Sequence, residues 1–104
     1  MRTLHEVQHE VDVMIKEEWR GNYWAPLSSL ARLTEEVGEL AREINAKYGE
    51  KPKKASEREG DIASEIGDIL FILASLANSM GIDLDVAFTE IMAKYRQRDA
   101  QRWK

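Results

Sequence analysis

Residues 61–80 read DIASEIGDILFILASLANSM and form the most apolar stretch of the chain. The isoleucines and leucines of this stretch recur every three or four positions and cover more than half of a helical wheel. A helix that is apolar on more than one side usually lies at the centre of a bundle. The pattern therefore predicts a central helix over Asp61–Met80.

The same periodicity predicts three further helices around this centre. The first covers about Leu4–Trp19, the second about Leu27–Tyr48, and the fourth begins after an N-cap at Asp83. Gly49 and Gly81 are suited to end the second and third helices. Alternation of β-branched residues, which is typical of strands, is absent. The predicted fold is all-α, an antiparallel bundle of about four helices per chain.

Composition narrows the class of protein. The chain has 104 residues, 19 acidic against 15 basic, a net charge of −4 and no cysteine. This length suits a single domain, 1–104, but is small for an isolated globule, so we expect homo-oligomerisation to complete the bundle. The acidic balance argues against a nucleic-acid polymer as partner. The amino terminus becomes charged too early for a secretory signal, and we judge no stretch long enough to span a membrane, which predicts a cytoplasmic protein.

Two pairs of acidic residues at helical spacing interrupt the apolar segments: Glu36 with Glu39, and Glu65 with Asp68. Residues three apart lie on the same side of a helix, so each pair directs two carboxylates to one region. If the second and third helices are antiparallel about a loop centred near Pro52, Glu36 falls level with Asp68. Glu39 then falls level with Glu65, and the four carboxylates form a square beside a packed seam.

A square of carboxylates requires positive charge. Two carboxylates ~5 Å apart repel by roughly 3 kcal/mol at an effective dielectric constant near 20, and partial burial adds a desolvation cost. Protons or a metal ion would compensate this repulsion. Oxygen ligands without cysteine, and without a histidine three residues after a glutamate, favour Mg²⁺, with Mn²⁺ as a possible substitute. The alternative is a solvated acidic face on a non-catalytic helical interaction module.

Two segments, 33–43 (LTEEVGELARE) and 65–71 (EIGDILF), together resemble the Glu-x-x-Glu … Glu-x-x-Asp signature of MazG-like nucleoside triphosphate pyrophosphohydrolases. The resemblance spans about Leu27–Arg98 and covers the all-α fold of that superfamily. It implies Mg²⁺-dependent hydrolysis of a nucleoside triphosphate to the monophosphate and pyrophosphate, for clearance of the nucleotide pool. It also implies a homodimer or homotetramer whose protomers complete each other's pockets. The Mg²⁺ ligands that it implies are Glu36, Glu39, Glu65 and Asp68.

Four more residues are candidates for catalysis or substrate binding. The resemblance implies that Glu35, next to Glu39 on the helix, orients or deprotonates the attacking water. Lys94 and Arg98 resemble the Lys-aromatic-x-x-Arg pattern of the family and would bind phosphate oxygens, although cations also favour a helix C-terminus. Trp24 belongs to an aromatic cluster in the first loop, where it could stack on a base or anchor the loop to the core.

Overall fold

The computed structural model describes residues 1–49 and 61–99, which fold into helices, with no strand in either range. The helices are α1 (Leu4–Val13), which continues into a π-helical turn (Met14–Glu18), α2 (Pro26–Tyr48), α3 (Ile62–Ser79) and α4 (Leu84–Asp99). The prediction of an all-α chain with about four helices is confirmed. The predicted loop between the second and third helices, with its centre at Pro52, lies outside the described residues.

The helix ends follow signals in the sequence. Thr3 and Glu6 form a capping box at the start of α1, in which each side chain accepts a hydrogen bond of 3.0 Å from the other residue's backbone N–H. Asp83 accepts a bond of 2.9 Å from the backbone N–H of Asp85, which confirms the predicted N-cap of α4. Gly81 follows α3 with φ 68°, a left-handed conformation that glycine adopts without a steric penalty.

The predicted first helix is regular only as far as Val13. Beyond it the backbone widens into the π-helical turn, a rare form that is often found near functional sites. The chain leaves this turn through Arg20, which has φ 54°. This left-handed conformation is uncommon for arginine and is more often adopted by glycine or asparagine. The backbone N–H of Gly21 then bonds the Ile15 carbonyl at 2.8 Å. This turn directs residues 19–25 along the side of the bundle.

The α3 helix occupies the centre, because it packs against both α1 and α2, while α4 packs against α1. The core is small: Val11, Ile15 and Ala74 are buried, and Phe71 and Leu84 pack partly buried against them. A cluster of this size covers only one flank of α3.

A buried polar network joins three of the helices. Gln8 of α1 donates from Nε2 to Asn78 Oδ1 of α3 at 2.9 Å and to the Ile82 carbonyl at 2.8 Å. Gln8 Oε1 accepts from the Leu84 N–H at 2.9 Å, and Asn78 Nδ2 donates to the Gln8 carbonyl at 2.8 Å. A polar network that is satisfied in this way holds its elements in one arrangement. It sets where α4 begins relative to α1 and α3.

The other flank of α3 is uncovered in the single chain. Ile66, Leu70 and Leu73 are 54%, 42% and 39% exposed. By length and composition, Ile62–Ser79 could cross a membrane, with a mean hydropathy of 1.4, so the expectation that no stretch reaches this length is wrong. The test is weak, since core helices of soluble proteins also meet it. The flank nevertheless offers a continuous apolar surface to a partner.

Candidate active site

Three acidic side chains from α2 and α3 meet at one point. Glu36 of α2 and Glu65 and Asp68 of α3 each place a carboxylate oxygen within 4.8 Å of the others. The α2 and α3 helices pack side by side, and residues near the start of α2 lie beside residues in the later part of α3. This is the antiparallel arrangement predicted from the sequence, and it brings the acids of the two helices together. The structure thus brings together three of the four predicted metal ligands.

The burial of these acids makes the cluster unfavourable without a cation. Glu36 is buried, Glu65 is half-buried and Asp68 is exposed. The Oε2 atom of Glu65 is shielded from solvent and has no hydrogen-bond partner within residues 1–49 and 61–99. Burial, a hydrogen bond with Glu36 and the neighbouring negative charges raise the pKa of Glu65. A shielded carboxylate oxygen without a partner, within a set of oxygen donors, fits a hard divalent cation.

Glu39 does not belong to this group of three. Its Oε2 lies 3.5 Å from Nη1 of Arg42 in an exposed ion pair, although its charge is close enough to contribute to the raised pKa of Glu65. Glu43, one turn further along α2, is buried at 7% exposure. Three of the four carboxylates of the predicted square therefore converge, and the fourth, that of Glu39, pairs with Arg42 instead.

An arginine lies directly beside the cluster. Nε of Arg32 is 3.0 Å from Oε1 of Glu36, one helical turn away. Arg32 is not among the site residues predicted from sequence, although the four-residue spacing to Glu36 is a signal for such an ion pair. Its guanidinium supplies part of the positive charge that the acids require.

A cleft of about 430 Å³ opens next to the cluster, within the range of small-molecule binding sites. Asp68 belongs to both the cleft and the cluster, and Arg32, which pairs with Glu36 of the cluster, also lines the cleft. The wall combines aromatic side chains with small polar ones. Its aromatic members are Trp19, Tyr23, Trp24 and Phe71, and its small polar members are Asn22, Ser29 and Ser75.

Two aromatic residues of the cleft wall, Trp19 and Tyr23, also contact the rest of the bundle. The Trp19 ring packs at a tilt of 48° against Phe71, with centroids 6.0 Å apart. The Tyr23 hydroxyl donates to Asp12 and accepts from Asn78 Nδ2 at 3.1 Å. Burial and this bond to Asp12 raise the pKa of Tyr23 to about 12, while the same bond lowers the pKa of Asp12. Trp24 lines the cleft with 56% of its surface exposed.

Three predicted site residues lie away from this cleft. Glu35 is exposed on α2, beside Glu36 in sequence but outside the group of three. Lys94 and Arg98 are exposed on α4, which packs against α1, and neither lines the cleft. The Arg98 guanidinium lies 4.9 Å from the centre of the Tyr95 ring. A single chain therefore does not bring the two predicted phosphate-binding cations to the acidic cluster.

Comparison with known families decides what this arrangement belongs to. Residues 25–103 match the MazG nucleotide pyrophosphohydrolase domain, a range that contains the acidic cluster and half of the residues that line the cleft. The chain belongs to the MazG family. The resemblance stated from the two acidic pairs is thereby confirmed.

Two relatives in sequence come from Bacillus subtilis (strain 168). The uncharacterized protein YpjD is 50% identical over 102 residues, which cover 98% of this chain and 91% of YpjD. The uncharacterized protein YvdC is 25% identical over 104 residues, covering 91% of this chain and 94% of YvdC. The similarity to this chain therefore extends over nearly the whole length of both relatives.

Two crystal structures share the MazG fold. YpjD from Bacillus subtilis, described as a candidate pyrophosphatase, superposes with a TM-score of 0.83 at 47% identity, over 95% of this chain and 98% of that one. A Bacillus-conserved MazG protein, described as a nucleotide pyrophosphohydrolase, gives a TM-score of 0.78 at 43% identity, with 95% of each chain covered. Family and neighbours together support a pyrophosphatase that acts on nucleotides.

Proposed function

We propose that this protein hydrolyses nucleoside triphosphates to the monophosphate and pyrophosphate, with Mg²⁺ as cofactor and Mn²⁺ as a substitute. The observation that carries the proposal is the meeting of Glu36, Glu65 and Asp68 within 4.8 Å at the edge of a cleft with an aromatic wall. The acids suit a divalent cation, and the cleft suits a flat base. Clearance of surplus or non-standard nucleotides is the role that such an activity would serve.

The four acids are proposed to hold the metal. Glu36, Glu65 and Asp68 already converge, and Glu39 would join them by leaving its exposed ion pair with Arg42. Bound Mg²⁺ would neutralise phosphate charge and act as a Lewis acid at the phosphoryl oxygens. The shielded Oε2 of Glu65, which has no partner, supports this assignment because it is suited to ligation rather than to solvation.

Glu35 is the proposed general base. It adjoins Glu36 in sequence and lies one turn before Glu39, so its exposed carboxylate would border the metal site once Glu39 joins that site. In the proposed reaction it orients a water against the α-phosphorus and accepts the proton of that water. The bond from the α-phosphorus to the bridging oxygen breaks, and pyrophosphate leaves. Trp24 would stack on the base from the wall of the cleft.

The proposed assembly is a homodimer or homotetramer. A second copy would cover the flank of α3 that contains Ile66, Leu70 and Leu73. The sequence carries no charged residue from position 69 to position 82, which suits such an interface. The second copy would also bring Lys94 and Arg98 to a neighbouring cleft, which the single chain does not. Nucleic-acid polymers and membranes are not expected partners, and the cytoplasm is the expected location of an enzyme for free nucleotides.

Product analysis with isotope-labelled water tests this proposal. The purified protein with Mg²⁺ should release pyrophosphate from at least one member of a panel of common and modified nucleoside triphosphates. In H₂¹⁸O the label should enter the nucleoside monophosphate, because water attacks the α-phosphorus. Orthophosphate as the sole direct product, or label in pyrophosphate alone, would contradict it. A helical interaction module would give no product and no saturable Mg²⁺ binding.

A further inference from the structure

We propose that Arg32 binds the phosphates of the substrate when the metal is bound. Without metal, the ion pair with Glu36 keeps the Arg32 guanidinium from the phosphates. Binding of the metal to Glu36 would release the guanidinium to the phosphates. This inference rests on the proposed function and adds a residue that neither the acidic signature nor the Lys94 and Arg98 pattern contains.

The position of Arg32 supports the first half of the exchange. Its Nε lies 3.0 Å from Oε1 of Glu36, and the Glu36 side chain is only 11% exposed, whereas that of Arg32 is 47% exposed. The guanidinium thus reaches from solvent to an almost buried carboxylate. Without a metal it is the cation that neutralises part of the acidic cluster.

The composition of the cleft supports the second half. Among the described residues that line it, Arg32 is the sole cation and Asp68 the sole anion. A triphosphate carries several negative charges and would enter beside at least three carboxylates, so it requires a cation in the wall. An arginine has five N–H donors in a planar fork that matches phosphate oxygens, more than one carboxylate oxygen can engage.

Electrostatics give a reason for the exchange. Once Glu36 is bound to a divalent ion, its attraction for the guanidinium is offset by repulsion from that ion a few ångströms away. Phosphate oxygens then become the better partner for Arg32. The same side chain would oppose metal binding in the free enzyme and favour nucleotide binding in the metal-loaded enzyme.

The consequence is a pair of effects with opposite sign. Arg32→Gln should bind Mg²⁺ alone more tightly, by roughly three- to ten-fold, because a competing cation is removed. It should bind the nucleotide more weakly, by about ten-fold or more, because a charge-assisted contact to phosphate is lost. A purely structural salt bridge would not separate the two affinities in this way.

Calorimetry on the intact protein measures both affinities. Mg²⁺ is titrated alone. In the presence of Mg²⁺, α,β-methylene analogues of the common ribonucleoside triphosphates and of the common deoxyribonucleoside triphosphates are then titrated, because the methylene group prevents hydrolysis. The variants are Arg32→Gln and Arg32→Lys, of which the second keeps the charge without the planar fork and should lie between Arg32→Gln and the wild type. Arg42→Gln is the matched control, since Arg42 pairs with Glu39 on the same helix but does not line the cleft. It should leave nucleotide affinity within two-fold.

Three outcomes overturn the inference. The first is an unchanged nucleotide affinity in Arg32→Gln. The second is an equal loss in Arg42→Gln, which would indicate general electrostatics rather than contact. The third is a fall in both affinities of a correctly folded Arg32→Lys. If the wild type itself binds neither Mg²⁺ nor any analogue, the proposed function fails as well, so the two failures are distinguishable.

Discussion

Glu65 of α3 lies against Glu36 of α2, and one carboxylate oxygen of each falls within the 4.8 Å group that also includes Asp68. Burial of Glu65 and its contact with Glu36 raise the pKa of Glu65. The negative charges of the two acids therefore destabilise the folded chain when no cation is bound. Residues in such a contact weaken the fold unless a ligand compensates them. Stability and metal binding should therefore respond in opposite directions to substitutions at this point.

Replacement of Glu65 by glutamine should stabilise the metal-free protein. Glu65→Gln removes one charge from the cluster and keeps the shape of the side chain, so thermal unfolding without metal should occur at a higher temperature. The same variant should lose the stabilisation that Mg²⁺ gives the wild type, about 2.7 kcal/mol at a metal concentration 100 times the dissociation constant. Scanning fluorimetry with and without Mg²⁺ measures both effects. Glu90→Gln, on the exposed surface of α4, should change neither, and a lower unfolding temperature for Glu65→Gln would refute the repulsion.

Asp68 and Glu35 should affect different steps. Asp68→Asn removes a proposed ligand that belongs to the cluster and lines the cleft, so Mg²⁺ affinity should fall by at least about ten-fold on Coulombic grounds. Glu35→Gln should bind Mg²⁺ as the wild type does but hydrolyse substrate about 10²- to 10⁴-fold more slowly, the range of general base catalysis. Calorimetry and single-turnover assays separate the two. Comparable loss of Mg²⁺ binding in Glu35→Gln would make Glu35 a ligand instead.

Tyr23 should link the stability of the fold to pH. Tyr23→Phe loses the bonds to Asp12 and Asn78, which should lower the free energy of unfolding by about 1–2 kcal/mol near neutral pH. The lowered pKa of Asp12 contributes stability that is present above its ordinary value of about 4 and is lost as the pH falls through the folded value. The raised pKa of Tyr23 contributes stability that is complete below about 10 and is lost as the pH rises through about 12.

Urea denaturation from acid to alkaline pH tests this linkage. The difference between wild type and Tyr23→Phe should be largest near neutral pH and shrink towards both extremes. Tyr48→Phe is the control, since Tyr48 is 73% exposed and should have little effect at any pH. A constant difference across the range would exclude ionisation of Asp12 and Tyr23 as its origin.

Lys94 and Arg98 should act on a neighbouring subunit. If a partner chain supplies them, a chain with both replaced by alanine still has an intact acidic cluster, and Asp68→Asn still has both cations. Mixed oligomers of these two inactive variants should recover activity, because one composite site in each pair is then complete. Hydrolysis assays after joint refolding, with mixing verified by differently tagged chains, provide the measurement. Mixed oligomers that stay inactive would contradict a shared site.

The helices and the acidic pairs could be predicted from sequence because both depend on local spacing. Apolar residues three and four apart predict a helix wherever they lie, and Asp83 and Gly81 act on the backbone next to them. The same locality places Glu65 and Asp68 on one side of α3. The π-helical turn and the left-handed Arg20 escaped prediction, because no local pattern requires them and tertiary contacts stabilise them.

The cleft and its charges depend on distances between helices, which no spacing along one helix specifies. Packing of α2 on α3 decided that Glu36 meets Glu65, whereas Glu39 pairs with Arg42 three residues along its own helix. Packing of α4 on α1 decided that Lys94 lies away from the cleft of its own chain. The sequence alone thus determined the helices, the acidic signature and the family. Only the tertiary structure decided which charges share a site, because moving two charges on separate helices from about 4 Å to about 8 Å apart changes their interaction by about 2 kcal/mol at an effective dielectric constant near 20.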